Sequence, residues 1–156
     1  RPIDPALVHA YGAVKLACVR AIRELDDWPT DKADAMEQAC EDMRLGLLDR
    51  HVAVDALQGG AGTSTNMNVN EVIASRANEI ITGTKGGKSP VHPNDHVNLG
   101  QSSNDAIPSS IHISALTRIK NRLIPSLTLL HERLLEKAKA FADVEKIGRT
   151  HLQDAV

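Results

Sequence analysis

Hydroxyl and amide side chains crowd three places in this chain. Gly59 to Asn70 reads GGAGTSTNMNVN, Gly100 to Asp105 reads GQSSND, and Gly148 to Asp154 reads GRTHLQD. The first two stand immediately before segments with helical periodicity. There the free N–H groups of a first helical turn and the positive end of the helix dipole favour an anion. Thr63, Ser64, Ser102, Ser103 and Asn104 would add neutral donors around a carboxylate, without the strong ion pairing that would hold a product too tightly. N-capping, at about 0.5–2 kcal/mol, accounts for any one such cluster. Two clusters with more donors than a cap uses, and a third carrying Thr150 and His151, point to a pocket for a small anion. His151 lies in a polar loop, where an imidazole either titrates near neutrality as an acid or base or is simply exposed.

Other residues carry less. His9, His112 and His131 fall in helical patterns and read as surface or core packing. His92 and His96, in VHPNDHVN, lack a Cys or Glu/His partner at ligand spacing, so no metal is expected. The glycines of GGAG match neither the phosphate-loop nor the dinucleotide spacing. Cys18 and Cys40 sit on apolar helical positions and read as buried small hydrophobes in a reducing, cytoplasmic compartment. A formal charge of −2 leaves no basic stripe for nucleic acid, and no apolar run is long enough to span a bilayer. A soluble protein is expected.

The elements that must hold these clusters are helical. Asp4 before Pro5 is a helix start, followed by apolar residues at Leu7, Tyr11, Val14, Cys18, Ile22 and Leu25. Thr30 can cap a second helix with Met36, Cys40, Met43 and Leu47 on one face. In the third, Val69, Val72, Ile73, Ala77, Ile80 and Ile81 form the face, Thr65, Asn66 and Asn68 cap and brace its start, and Gly83 ends it. TGTKGGKSPVHPND is loop by composition. Pro108 then opens the longest pattern, Leu116, Ile119, Leu123, Leu127, Leu130, Leu134, Ala138 and Phe141, with Pro125 inside it as an expected kink. No segment alternates with period two, so the class is all-α. So long an apolar stripe needs long neighbours, from further chain or from other subunits.

In order and separation, GGAGTSTNMNVNE, VHPNDHVN, GQSSNDAIP and KIGRTHLQDA resemble the fumarase and aspartase branch of the fumarate lyase superfamily across essentially the whole chain. The resemblance implies a helical N-terminal domain over residues 1–100 and the start of a long-helix bundle over 101–156. It also implies a cofactor-free homotetramer whose sites are shared between subunits, eliminating water or ammonia from a four-carbon dicarboxylate to give fumarate. Thr63 matches the family's substrate-binding threonine, and Ser102, Ser103 and Asn104 its carboxylate and leaving-group binders. Thr150 and His151 match a Thr-His pair from a neighbouring subunit, the His a proton donor or a positioning residue. His92, Pro93, Asn94 and Asp95 match a secondary dicarboxylate site. The chain opens without Met and closes just after GRTHLQDA, before the family's serine base, so a fragment inactive alone is expected. Within the branch, Ala61 and Ser64 of GGAGTS and the closing QDAV resemble aspartase, while HPND and QSSND stand closer to fumarase. Elimination of ammonia from L-aspartate is the leading expectation and dehydration of L-malate the second. A non-catalytic helical assembly module is the reading from a different class.

Overall fold

A computed structural model describes residues 1–58, 60–148 and 152. Its elements are α1 (Pro5–Leu25), α2 (Thr30–Arg44), α3 (Thr63–Thr82), α4 (Ser103–Arg118) and α5 (Ile124–Ala140), with shorter helical turns between them. No strand occurs among the described residues, and the all-α expectation holds. The chain divides into two compact units, Arg1–Thr117 and Arg118–Val156.

In the first unit α1 begins as its sequence dictates: Asp4 Oδ1 accepts from Ala6 N at 2.8 Å, and Pro5 occupies a position that has no intrahelical N–H to lose. Its buried face is Val8, Tyr11, Lys15, Leu16 and Val19, rotated from the expected stripe, so that Leu25 is exposed. The rotation follows from Gly12. A Cβ there would lie 2.5 Å from Arg44 N and 3.0 Å from Cys40 O, so the backbones of α1 and α2 approach at the one residue without a side chain. Further along, Arg20 and Arg23 of α1 bond Glu37 of α2 at 3.0 and 2.8 Å. Early α1 thus meets late α2 and late α1 meets early α2, which makes them an antiparallel pair. Met36, Cys40 and Met43 are wholly buried as expected, but α2 ends at Arg44 and Leu47 is exposed. Pro29, not the Thr30 side chain, stands at its cap.

α3 closes the core with Val69, Ile73 and Ala77, and Gly83 ends it in the left-handed region as expected. Its asparagines do not cap. Asn68 Oδ1 instead accepts from Ala53 N and Val54 N, at 2.9 and 3.3 Å. Asn78 exchanges two bonds with Val91: its Oδ1 accepts from Val91 N at 2.7 Å and its Nδ2 donates to Val91 O at 3.0 Å. Each side chain bonds a different connecting segment to one helix, which satisfies backbone groups that these segments cannot satisfy for themselves.

α4 starts at Ser103, five residues before the expected Pro108, which is accommodated inside the helix. In the second unit the expected kink at Pro125 takes a particular form. A π-helical turn over Ile119–Leu123 precedes α5, Ile124 N bonds Ile119 O, and Pro125 falls in the first turn of α5. The wider turn absorbs the missing N–H and the ring of the proline.

Candidate functional site

α3 begins at Thr63, with Gly62 at its cap in the left-handed region at φ +85°, where an added Cβ would also lie 3.0 Å from Ile107 Cδ1. Only glycine meets both conditions. Gly60 is likewise left-handed but has open space around it, and Gly59 lies outside the described residues. Thr63 and Ser64 therefore occupy the first helical turn, with Thr63 exposed, and neither side chain bonds another described residue. No side chain caps this helix, so its first N–H groups remain available.

At α4, Ser102 does cap: its Oγ accepts from Asn104 N at 3.1 Å. Capping accounts for that lone pair, while the hydroxyl proton remains for a ligand. The Asn104 side chain is exposed and makes no bond to a described residue. Ser103 joins the two helix starts, because Asn66 Nδ2 in α3 donates to Ser103 Oγ at 3.2 Å. One side-chain hydrogen bond thus links two N-terminal turns that each keep unspent donors, an arrangement suited to a carboxylate group.

Sequence reasoning missed what lies beneath. Lys15 is fully buried, and its Nζ donates to Gln101 Oε1 at 2.8 Å and Asn98 Oδ1 at 3.2 Å. Asn98 Oδ1 also accepts from Asn66 Nδ2 and Asn70 Nδ2, both at 3.1 Å. Burial pulls the ammonium down to about 8, against a smaller upward pull from the Cys18 and Cys40 thiols. Asn66 Oδ1 and Asn70 Oδ1 are buried without a partner among the described residues, at about 1–3 kcal/mol each. The signal was present in the sequence: Lys15 lies four residues from both Tyr11 and Val19, in the middle of an apolar stripe, and Asn66 and Asn70 share a helix face.

The HPND segment forms a π-helical turn, Pro93–Val97, where a loop was expected. His92 Nδ1 accepts from Asn94 N at 3.3 Å and Asp95 N at 3.2 Å. Two N–H donors require that nitrogen to be unprotonated, so its 3.1 Å approach to Asp95 Oδ2 is a contact and not an ion pair. His96 Nδ1 accepts from His92 N at 2.7 Å, which leaves Nε2 as the N–H, 3.3 Å from Lys32 Nζ. Two donors face one another there. Burial first, and the Lys32 charge second, hold His96 below the usual imidazole range. Asn94 and Asp95 are exposed and Pro93 is buried.

Thr150 and His151 lie outside the described residues. Among the described residues no group of three or more His, Cys, Asp or Glu side chains could hold a metal, and no helix is long and apolar enough to cross a membrane.

A family model described as lyase matches residues 3–156. Class II fumarate hydratases from Bradyrhizobium diazoefficiens and Chromobacterium violaceum are 51% and 50% identical over 96% and 98% of this chain, which covers 32% and 33% of theirs. Among solved structures, fumarate lyase:delta crystallin from Brucella melitensis is similar at 46% identity and a TM-score of 0.88, over 97% of this chain and 35% of that one. Recombinant class II fumarase from Schistosoma mansoni is similar at 40% identity and 0.88, over 99% of this chain and 32% of that one. The chain spans about a third of the length of the curated relatives it matches. Family match, relatives and helical fold agree with the four ordered motifs: the chain belongs to this lyase family, in the fumarase and aspartase branch of the fumarate lyase superfamily.

Proposed function

We propose that the intact protein is a fumarate hydratase, interconverting L-malate with fumarate and water without a cofactor. The observation that carries the reading is the pair of helix starts linked by Asn66 and Ser103, with unspent donors at Thr63, Ser64 and Asn104. Removing a proton from the carbon beside a carboxylate puts a second negative charge on that group. Fixed N–H and hydroxyl donors stabilise the resulting aci-carboxylate where the charge develops. Thr63, Ser64, Ser102, Ser103 and Asn104 take the substrate carboxylate and leaving group. Thr150 and His151, by family resemblance, come from a neighbouring subunit, with His151 as proton donor or positioning residue. The Lys32 and His96 donors support a second dicarboxylate site beside His92, Pro93, Asn94 and Asp95.

Water replaces ammonia as the first reading because relatives named fumarate hydratase class II are about half identical across the chain. Ammonia rested chiefly on Ala61 and Ser64. Ala61 is exposed, and the open Ser64 hydroxyl can donate to or accept from water and ammonia alike, so neither selects between them. L-Aspartate is the second reading. A homotetramer is supported by the second unit, where no residue of α5 or of the turn before it is buried. The free Cys18 and Cys40 thiols fit a cytoplasmic location.

The test follows fumarate by ultraviolet absorbance with the intact protein, offered L-malate and L-aspartate separately. Turnover of malate is expected; turnover of aspartate alone overturns the reading.

A further inference from the structure

The geometry points to Lys15 as a positioning residue that sets the hydrogen-bond polarity of the substrate site through Asn98, Asn66 and Ser103. This rests on the dicarboxylate reading above and extends it to a residue that does not itself touch substrate.

The argument starts from what an ammonium can do. It has donors and no acceptor, so Asn98 and Gln101 must both turn their side-chain oxygens toward Nζ. The nitrogen ends are then held from the other side: Asn98 Nδ2 donates to Gln101 O at 3.2 Å, and Gln101 Nε2 to Val97 O at 2.8 Å. With its oxygen fixed as the acceptor, Asn98 obliges Asn66 and Asn70 to present their NH₂ groups. The second N–H of Asn66 falls on Ser103 Oγ. A hydroxyl that accepts on its buried side keeps its own proton for the open side, where it donates to a carboxylate oxygen.

The polarity of each step is imposed by the one before it, back to a cation that cannot reverse. The unpartnered Asn66 Oδ1 and Asn70 Oδ1 are what such imposed polarity leaves behind. Were both amides free to turn, those buried oxygens would seek donors, and Asn66 would offer Ser103 an acceptor in place of a donor. The Ser103 proton would then point inward, and the site would lose a donor while keeping every residue that forms it.

A double-mutant cycle tests this in the intact protein: wild type, Lys15→Met, Ser103→Ala and the pair, each assayed for fumarate hydration and titrated with succinate by calorimetry. Lys15→Met keeps the stem and removes the donor. It should lower kcat/KM and succinate affinity by about tenfold in the wild-type background and by less than about twofold when Ser103 is already alanine. Equal losses in both backgrounds would assign Lys15 to general stability and overturn the proposal. If wild type does not hydrate fumarate, the functional reading fails, and the cycle is still read from succinate binding; absence of succinate binding by wild type overturns both. Should Lys15→Met fail to fold, Asn98→Asp and Asn98→Leu replace it in the same cycle. Aspartate keeps the acceptor and should retain affinity within a few-fold, whereas leucine should lose it only where Ser103 is present. Equal behaviour of the two substitutions would sink the idea.

Discussion

The two units use the same kind of helical apolar pattern in opposite ways. In Arg1–Thr117 the periodic residues are spent inside the unit: Met36, Met43, Val69 and Ile73 are wholly buried. In Arg118–Val156, Leu123, Leu127, Leu130 and Leu134 recur just as regularly, yet each is about half exposed. A stripe with no face to meet within its own unit is a stripe for something else. The first unit supplies its own core and carries the described donors; the second leaves its stripe uncovered among the described residues, and the proposed association rests on that stripe.

The most damaging way to break that contrast is to charge the second stripe. Leu127→Glu with Leu134→Glu in the intact protein should abolish the oligomer by light scattering. If sites are shared between subunits, turnover should fall by more than about a hundredfold, since small misplacements of reacting groups already cost that much. An unchanged mass would show that the exposed face is not an assembly surface. Next come the donors of the first unit. Ser103→Ala and Thr63→Ala should each lower kcat/KM by about 10²–10³-fold while thermal stability holds, as for other lost oxyanion donors. A shift in stability with turnover kept would instead favour the non-catalytic assembly module.

Much of this division was legible from residue spacing, and what was not has physical causes. The cap at Asp4, the stop at Gly83 and the buried Met36, Cys40 and Met43 followed from local chemistry. The buried face of α1 did not, because it is set by the close crossing at Gly12, which only the partner helix reveals. The starts of α3 and α4 were read too late, as caps and loops, because Thr, Ser and Asn prefer such positions locally. Tertiary bonds from Asn66 and Asn68 hold the first turns in place here. Of the site, its residue types were visible, and Lys15 stood out inside an apolar stripe, but its partners were not: Asn98 and Gln101 lie more than eighty residues later, and only the fold brings them to it.

Within the first unit, Met36→Ala should remove about 2–5 kcal/mol of stability by opening a cavity in a fully buried position. Gly12→Ala should cost about 1–3 kcal/mol by forcing α1 from α2. Denaturant titration checks both. A neutral Gly12→Ala would mean that the crossing is not as tight as 2.5 Å requires.

The smallest effect is the most diagnostic of how the site is supported. The Lys15 ammonium titrates at about 8 in the folded protein against 10.5 for an unburied lysine. Below pH 8 both states carry the proton, and burying the charge is an undiminished cost. Between pH 8 and 10.5 the unfolded chain binds more proton than the folded one, so stability rises with pH from this group, by at most about 1.4 kcal/mol per unit. The cysteines act in the opposite sense, since burial raises both thiols and the unfolded chain loses those protons first. Tyr11, raised to about 12 by burial, does the same above pH 10. The total profile is therefore a compromise, but the difference between wild type and Lys15→Met isolates the lysine. That difference should move in favour of wild type from pH 8 to 10.5 and be flat between pH 6 and 7.5. A flat difference throughout would mean that the amides and ammonium compensate one another fully, and that Lys15 is held at no cost to the fold.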